Sequence, residues 1–373
     1  MIAQFVIAIL VAVALLIFMI VKLKIHPVLS LFAASCVAGT ILGNPLVTTG
    51  ETTGTIDLIT AGFGSTLGSI GLTIIFGSII ACSIRDSGAA KSMVNFFIGL
   101  FKGKNLELAT GMAAYVMSIP VFGDVTMVLI SPLAAIISKR QGKPMGTMAA
   151  WTMLPLNLTH SMVPPTPGIL AVSVALGADL GLVIVWGIVC SLIAYLVTWV
   201  LMKKWTDKDA YEPKPEFVIG IEEAKSDDYH DLMIKEEGLP GFLAAVSPIL
   251  VPVILIAAYS FIGMALPKES AIMVVLGVLG NRNVALFLGV CCGWGLAATH
   301  PNKVKEAYAA AGKDASNLFN IVTEQWVVEA LEVALVPLIV TGMGGGFAQI
   351  IKTAPAAAEL GAAVNAIGFP GFL

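Results

Sequence analysis

The stretch "SIPVFGDVTMVLIS", Ser118–Ser131, places a carboxylate inside a long apolar segment. Asp124 is the single charged residue between Leu108 and Ser138, and both a glycine and a proline precede it closely. Proline interrupts a helix because it lacks a backbone N–H. A charged side chain at the centre of a bilayer costs about 2.5–3.5 kcal/mol on insertion scales and is usually functional. The stretch therefore predicts a broken membrane helix with a functional carboxylate at the break.

The composition of the whole chain indicates a lipid environment. Of 373 residues, 57% are hydrophobic and 12% are charged, whereas soluble domains carry about 25% charged residues. Apolar runs of roughly 18 residues or more recur, and such runs are long enough to cross a bilayer as helices. We therefore predict an all-α polytopic membrane protein whose surface faces lipid.

The basic residues predict how the chain is oriented. The first apolar run is too long for a cleaved signal, and its positive charges, Lys22 and Lys24, follow it. Basic residues concentrate on the cytoplasmic side of a membrane. This pattern predicts a retained first span with the N-terminus outside.

An acidic segment and a weak repeat divide the chain. Residues 203–240 are rich in acids and lysines, so we expect a solvated cytoplasmic linker, with a docking role as the alternative. The linker separates an N-terminal membrane half, 1–202, from a C-terminal half, 241–373. The stretch that begins at Gly77 also aligns weakly with the one that begins at Gly344. Paired interrupted helices in two halves are typical of transporters.

A second polar stretch, "NLTHSMVPPTPG", covers Asn157–Gly168. It combines an amide, hydroxyls and an imidazole with a proline cluster that disfavours helix. Unwound backbone of this kind forms the binding sites of many transporters. The helix breaks that we predict are at Pro120, Gly123, Pro164, Pro165, Gly344 and Gly345.

The candidate site residues follow from these breaks. Asp124 is the candidate proton carrier, and the alternative is a structural carboxylate that caps a half-helix. Asp86 and Ser87 form a further polar turn, although Asp86 could instead cap the helix after Gly88. Glu332 is a lesser candidate for a second titrating group. The candidate substrate-binding residues are Asn157, Thr159, His160, Ser161, Thr166, Gly168, Asp86 and Ser87.

Other functional classes lack their usual signatures. The five cysteines lie in apolar segments without metal-ligand spacing, so we expect no metal site, disulfide or cofactor. A membrane-embedded enzyme with Asp124 and His160 as an acid–base pair is an alternative. However, no nucleophile elbow, HExxH motif or nucleotide loop accompanies that pair. The chain also lacks the basic patch with interleaved aromatic residues that nucleic acid would require.

Three motifs resemble the gluconate permease family. They are "GFGSTLGSIGLTIIFGSIIACSIRDSGAA" (62–90), "IPVFGDVTMVLISPL" and "LTHSMVPPTPGILAVSVALGADLG", and their order and spacing match the family. The resemblance implies a bacterial inner-membrane secondary transporter, similar to proton-coupled sugar-acid symporters of the ion transporter superfamily. It also implies two inverted repeats with re-entrant hairpins that meet at a midplane site.

This sequence departs from the family pattern in three ways. The family usually has two phenylalanines and a glutamate where this chain has Phe122, Gly123 and Asp124, and histidine where it has Thr166. These changes argue against gluconate itself and leave a small hydroxy-carboxylate, such as a gluconate-like sugar acid, as the expected substrate. The family also continues beyond Leu373, which leaves the second repeat incomplete. The alternatives are then a working transporter, a non-transporting product or one piece of a split transporter. The candidate protein partners are a second copy of the chain or a C-terminal fragment.

Overall fold

The computed structural model describes residues 1–119, 121, 123–206, 211–218, 230, 233–267 and 269–359. These residues form helices and turns, and the one β-bridge among them joins Thr49 to Thr52. The predicted all-α class is therefore confirmed. The helices are α1 Ile2–Val21, α2 Pro27–Ile41, α3 Thr55–Asp86, α4 Ala89–Leu100, α5 Leu106–Met117, α6 Gly123–Gln141, α7 Met145–Met162, α8 Pro167–Ala175, α9 Leu180–Thr206, α10 Phe242–Ala265, α11 Ala271–Leu279, α12 Arg282–Thr299, α13 Pro301–Ala310 and α14 Trp326–Thr353.

Among the described residues, six helical segments are long and apolar enough to cross a membrane. They are α1, α3, α9, α10, α12 and the continuous helical stretch Leu318–Thr353, which contains α14. Large apolar side chains such as Leu10 and Val200 are exposed on these segments. A helix satisfies its backbone groups internally and can therefore present such side chains to lipid. The prediction of a polytopic membrane protein is confirmed.

The first of two compact units comprises Met1–Gly71 and Leu335–Leu373. Its helices pack through small residues, with Ala12, Ala34 and Ala38 buried in one cluster. A Cβ added at Gly345 would lie 1.9 Å from the Thr66 hydroxyl oxygen. Helices in membranes approach this closely only where residues are small.

The predicted helix break at Gly344 and Gly345 does not hold, because α14 runs without interruption from Trp326 to Thr353. A Cβ added at Gly62 of α3 would lie 2.4 Å from the carbonyl oxygen of Gly345. The glycines therefore permit close packing between helix backbones. They do not unwind the helix.

Helix α7 belongs to the second unit, Leu72–Ala334. This helix packs against α5, α6 and α9. Its buried residues include Met148, Trp151 and Thr152, whose i, i+3 and i+4 spacing places them on one face. Gly111 of α5 lets that face approach, since a Cβ there would lie 2.4 Å from the carbonyl oxygen of Trp151. Residues of the predicted halves 1–202 and 241–373 occur in both compact units, and that division stays a prediction.

The end of the acidic linker is packed against a helix, which differs from the solvated linker that we expected. We call residues 233–240 the strap. The Asn95 amide of α4 donates to the Ile234 carbonyl at 3.0 Å, and its oxygen accepts from the Ile234 N–H at 2.8 Å. The Ser92 hydroxyl donates to the Pro240 carbonyl at 2.6 Å. These hydrogen bonds fix the strap at both of its ends.

Candidate functional site

The first helix interruption lies between α5, which ends at Met117, and α6, which begins at Gly123. Pro120 and Phe122 lie outside the described residues, and so does the side chain of Asp124. The backbone of Asp124 belongs to the first turn of α6. Free N–H groups and the helix dipole at that end favour negative charge. This position is therefore compatible with either of the two roles expected for Asp124.

The second interruption lies between α7 and α8. Val163 is extended, with φ −117° and ψ 114°, as expected for a residue that precedes proline. The Thr166 hydroxyl donates to the carbonyls of His160 at 2.7 Å and Val163 at 2.9 Å. It thereby satisfies acceptors that the end of α7 leaves open. The interruption covers residues 163–166, and the helix continues through His160 and Ser161, where we expected unwound backbone.

The first interruption lies against the last turns of α7, which lead into the second interruption. A Cβ added at Gly123 would lie 2.9 Å from Leu156 Cδ2 and 4.0 Å from His160 Cγ. The hydroxyls of Ser118 and Thr159 also form a hydrogen bond. The end of α5, the beginning of α6 and the last turns of α7 therefore form one region, which we call the interruption pair.

Three predicted site residues face away from the buried part of this region. Asn157, Ser161 and Gly168 are exposed, and the Asn157 amide donates to the Met153 carbonyl of its own helix at 2.9 Å. The structure thus groups Thr159, His160 and Thr166 with the interruption pair. It leaves the Asn157 amide and Ser161 on an exposed face of α7.

Asp86 belongs to a separate hydrogen-bond network at the end of α3. It is buried, and it accepts from Arg85 Nε at 2.6 Å and from Trp326 Nε1 at 2.8 Å. The residue at the N-terminal cap of α4 is Gly88, whose φ is +76°. Asp86 is therefore the last residue of α3 and does not cap α4. Next to it, the buried Ser87 hydroxyl has no hydrogen-bond partner among the described residues.

Glu329 of α14 extends this network, which we call the Asp86 cluster. Its Oε2 accepts from Arg85 Nη2 at 2.5 Å. Its Oε1 accepts from the Tyr308 hydroxyl at 2.5 Å and from Lys313 Nζ at 2.9 Å. Burial and the neighbouring Glu329 carboxylate raise the pKa of Tyr308 well above its usual range, so this phenol remains a donor.

Sequence reasoning missed Trp326 and Glu329 and selected Glu332, which is exposed. A π-helical turn at Ile321–Gln325 precedes Trp326, and such turns often mark functional positions. Trp326 and Glu329 are three residues apart and hence share a face of α14. That spacing was the sequence signal that could have identified Trp326 and Glu329 as a pair.

The described residues contain no group of three or more His, Cys, Asp or Glu side chains that could hold a metal ion. They also line an open cavity of about 230 Å³ beside the Asp86 cluster, and Arg85, Lys91 and Lys303 are among its lining residues. The charged groups that line this cavity are carboxylates, ammonium groups and a guanidinium.

An all-helical membrane protein with interrupted helices belongs to the structural class that includes secondary transporters. The model of the GntP family permease matches residues 4–373, and the chain belongs to this family. The resemblance to gluconate permeases is thereby confirmed. So is the expectation that the chain is a permease and not an enzyme.

Curated relatives include an uncharacterized permease of Haemophilus influenzae, 29% identical over 362 residues, which are 95% of this chain and 69% of the relative. The high-affinity gluconate transporter of Escherichia coli K12 is 25% identical over 335 residues, 88% of this chain and 67% of that transporter. The D-serine transporter DsdX of Escherichia coli K12 is 29% identical over 286 residues, 75% of this chain and 60% of that transporter. The chain therefore spans about two thirds of the length of these relatives. No solved structure matches.

Proposed function

We propose that the protein is a secondary active transporter that takes up a small hydroxylated carboxylate by proton symport across a bacterial inner membrane. The observation that carries this proposal is the family match over residues 4–373. Relatives are named for gluconate, L-idonate and D-serine. All three solutes have a carboxylate and at least one hydroxyl group, and this shared chemistry defines the substrate class.

The interruption pair supports a binding role. The beginnings of α6 and α8 present helix N-termini, which favour an anionic group. Thr159, His160 and Thr166 supply hydroxyls and an imidazole to the same region. We assign Asp124 as the proton carrier because it is the single charged residue of the apolar stretch Leu108–Ser138, and an ionisable residue in such a stretch is usually functional. Rocking of helical bundles around such a site gives alternating access.

The proposed orientation has the N-terminus outside. Basic residues then lie on the cytoplasmic side at the linker, at the α6–α7 turn and around α13, as expected from their usual distribution. A second candidate substrate class is a small amino hydroxy-acid, favoured by the 29% identity with the D-serine transporter.

Uptake into proteoliposomes tests the proposal. Labelled gluconate, L-idonate and D-serine are supplied with and without an inward proton gradient, to wild type and to Asp124→Asn. Asp179→Asn is the matched control, because Asp179 lies at the exposed start of α9, where its side chain accepts a hydrogen bond from the Leu182 N–H. We expect gradient-driven uptake that Asp124→Asn abolishes and Asp179→Asn retains. No uptake by well-inserted wild type would contradict transport by this chain.

A further inference from the structure

The strap places one carboxylate between lysines of two different helices. Glu236 accepts a hydrogen bond from Lys91 of α4 through one oxygen. Through the other oxygen it accepts from Lys303 Nζ of α13 at 2.9 Å. Hydrogen bonds between charged partners are about twice as strong as neutral ones. Two ammonium groups from separate helices thus hold both oxygens of a single carboxylate, an arrangement that suits recognition of a carboxylate ion.

A cavity lies directly beside this contact. Its volume is about 230 Å³, and Lys91, Glu236 and Lys303 line it together with Arg85 and Asp86. Pockets for drug-sized molecules measure about 300–1,000 Å³. The smaller volume suits an anion of a few carbon atoms.

The charges around the cavity are balanced only while Glu236 is present. The cavity lining contains three cations, Arg85, Lys91 and Lys303. It also contains three carboxylates, those of Asp86, Glu236 and Glu306, and the last two contact Lys303. If Glu236 leaves, one cation is unmatched. A free carboxylate with a single negative charge would restore the balance.

The strap is built so that Glu236 can leave without unfolding it. The hydrogen bonds of Ile234 and Pro240 to α4 lie on either side of Glu236, and Gly238, with φ +72°, forms the turn between them. The Glu236 side chain is 30% exposed and that of Lys303 is 14% exposed, so solvent reaches the contact. The carboxylate can therefore swing out while both anchors remain.

We propose that Lys91 and Lys303 form a binding subsite for a small carboxylate anion, and that Glu236 occupies this subsite as a tethered competitor. The inference deepens the proposed function and rests on it for the class of anion. An anion that accumulates on the linker side of the protein displaces the Glu236 carboxylate, while Ile234 and Pro240 keep the strap anchored to α4. The linker is thereby coupled to anion concentration.

Site-resolved lysine labelling tests the proposal on purified full-length protein in detergent. The reactivity of Lys91 and Lys303 toward an amine-acylating reagent is measured by mass spectrometry at increasing gluconate, in wild type, Glu236→Ala and Glu236→Gln. Lys305, on the same helix as Lys303, is the internal control. Glu216→Ala is the control variant, since Glu216 lies in the same linker and pairs with exposed Lys214. Inorganic phosphate forms a separate arm.

We expect gluconate to slow the labelling of Lys91 and Lys303, but not of Lys305. If Glu236 contacts the two lysines about nine tenths of the time, the gluconate concentration that gives half-maximal protection should be roughly tenfold lower in Glu236→Ala than in wild type. Glu216→Ala should behave as wild type. Glu236→Gln serves as the second variant, because it preserves the shape of the strap and should shift protection in the same direction.

Three results would overturn the proposal: no protection in either variant, equal protection of Lys305, or protection by phosphate and not by gluconate. Labelling also separates this inference from transport. Protection without uptake would support the subsite and contradict the transport proposal. Uptake without protection would overturn the subsite alone.

Discussion

Two buried carboxylates of the second unit, Glu107 and Asp86, have different surroundings. Glu107 at the start of α5 accepts from Lys143 at 2.6 Å, and Lys203 lies 3.3 Å from its other oxygen. The Trp199 indole also donates to it, at 3.3 Å. Two cations and an aromatic side chain therefore neutralise and cover this carboxylate completely.

Asp86 shares its guanidinium with Glu329 and lies beside a cavity. Its neighbour, the Ser87 hydroxyl, is buried without a partner among the described residues. A buried polar group of this kind is unfavourable and needs an explanation. Burial alone therefore does not mark a functional carboxylate. A closed set of partners indicates a structural role, whereas shared partners and an open cavity indicate binding.

The largest expected effect is on stability and concerns Glu107. In Glu107→Ala, Lys143 and Lys203 would lose their shared partner within a packed region. Removing one member of a buried ion pair costs about 3–5 kcal/mol, and we expect about 3 kcal/mol because the lysines remain partly exposed. Chemical denaturation in detergent micelles measures this loss.

Glu216→Ala is the control for Glu107→Ala, and its exposed pair with Lys214 should contribute less than about 1 kcal/mol. Equal losses of stability in the two variants would show that the buried ion pairs of Glu107 contribute no more than an exposed ion pair. The comparison with Asp86 would then fail.

Trp326→Phe should have the next largest effect. It removes the indole donor from Asp86 but retains an aromatic ring, and hydrogen bonds to charged groups contribute about 1.5–3 kcal/mol. We expect a loss near the lower value, because Arg85 still binds Asp86. Thermal unfolding measures it, and Trp186→Phe on the exposed face of α9 is the control. An unchanged melting temperature would mean that Trp326 does not hold Asp86.

Ser87→Ala should change stability in the opposite direction. Removing an unpaired buried hydroxyl relieves part of its desolvation penalty, which is about 1–3 kcal/mol, and the lost contacts offset some of this gain. We expect stability to rise by about 1 kcal/mol or less. Ser118→Ala, whose hydroxyl bonds Thr159, should instead lower stability. Destabilisation by Ser87→Ala would show that its hydroxyl is satisfied in the native state.

Sequence reasoning recovered the parts of the fold that depend on local chemistry. The membrane helices follow from apolar length, and the end of α7 follows from Pro164, which forces Val163 into an extended conformation. The glycines of α14 could not be assigned in the same way. Gly345 can serve an unwound turn or close packing, and the choice depends on Thr66, which is distant in sequence.

The Asp86 cluster could be predicted only in part. Asp86 stood out as an acid next to Arg85 in an apolar setting, but its partner Trp326 is 240 residues away. The choice between Glu329 and Glu332 depends on which face of α14 packs inward. Apolar residues surround both glutamates in the sequence, so the sequence alone does not identify that face. The strap was missed for a similar reason. Glu236 resembles the other acids of a solvated linker until Lys91, 145 residues earlier, is placed beside it.

The smallest expected effect concerns the pH dependence of the strap. Burial opposes ionisation of Glu236, but the hydrogen bonds from Lys91 and Lys303 outweigh it and lower the pKa of this carboxyl below its usual range. A carboxyl with a lowered folded-state pKa stabilises the protein above its unfolded pKa of about 4.3, and this contribution disappears as pH falls through the folded pKa.

Glu236→Gln should therefore be less stable than wild type at pH 7, by about 1 kcal/mol or less because the pair is partly exposed. The difference should vanish in strongly acidic solution, where the wild-type carboxyl is also neutral. Melting temperatures of both proteins between pH 7 and pH 3 measure the convergence, and a constant difference over that range would show that the strap contact does not depend on the Glu236 charge.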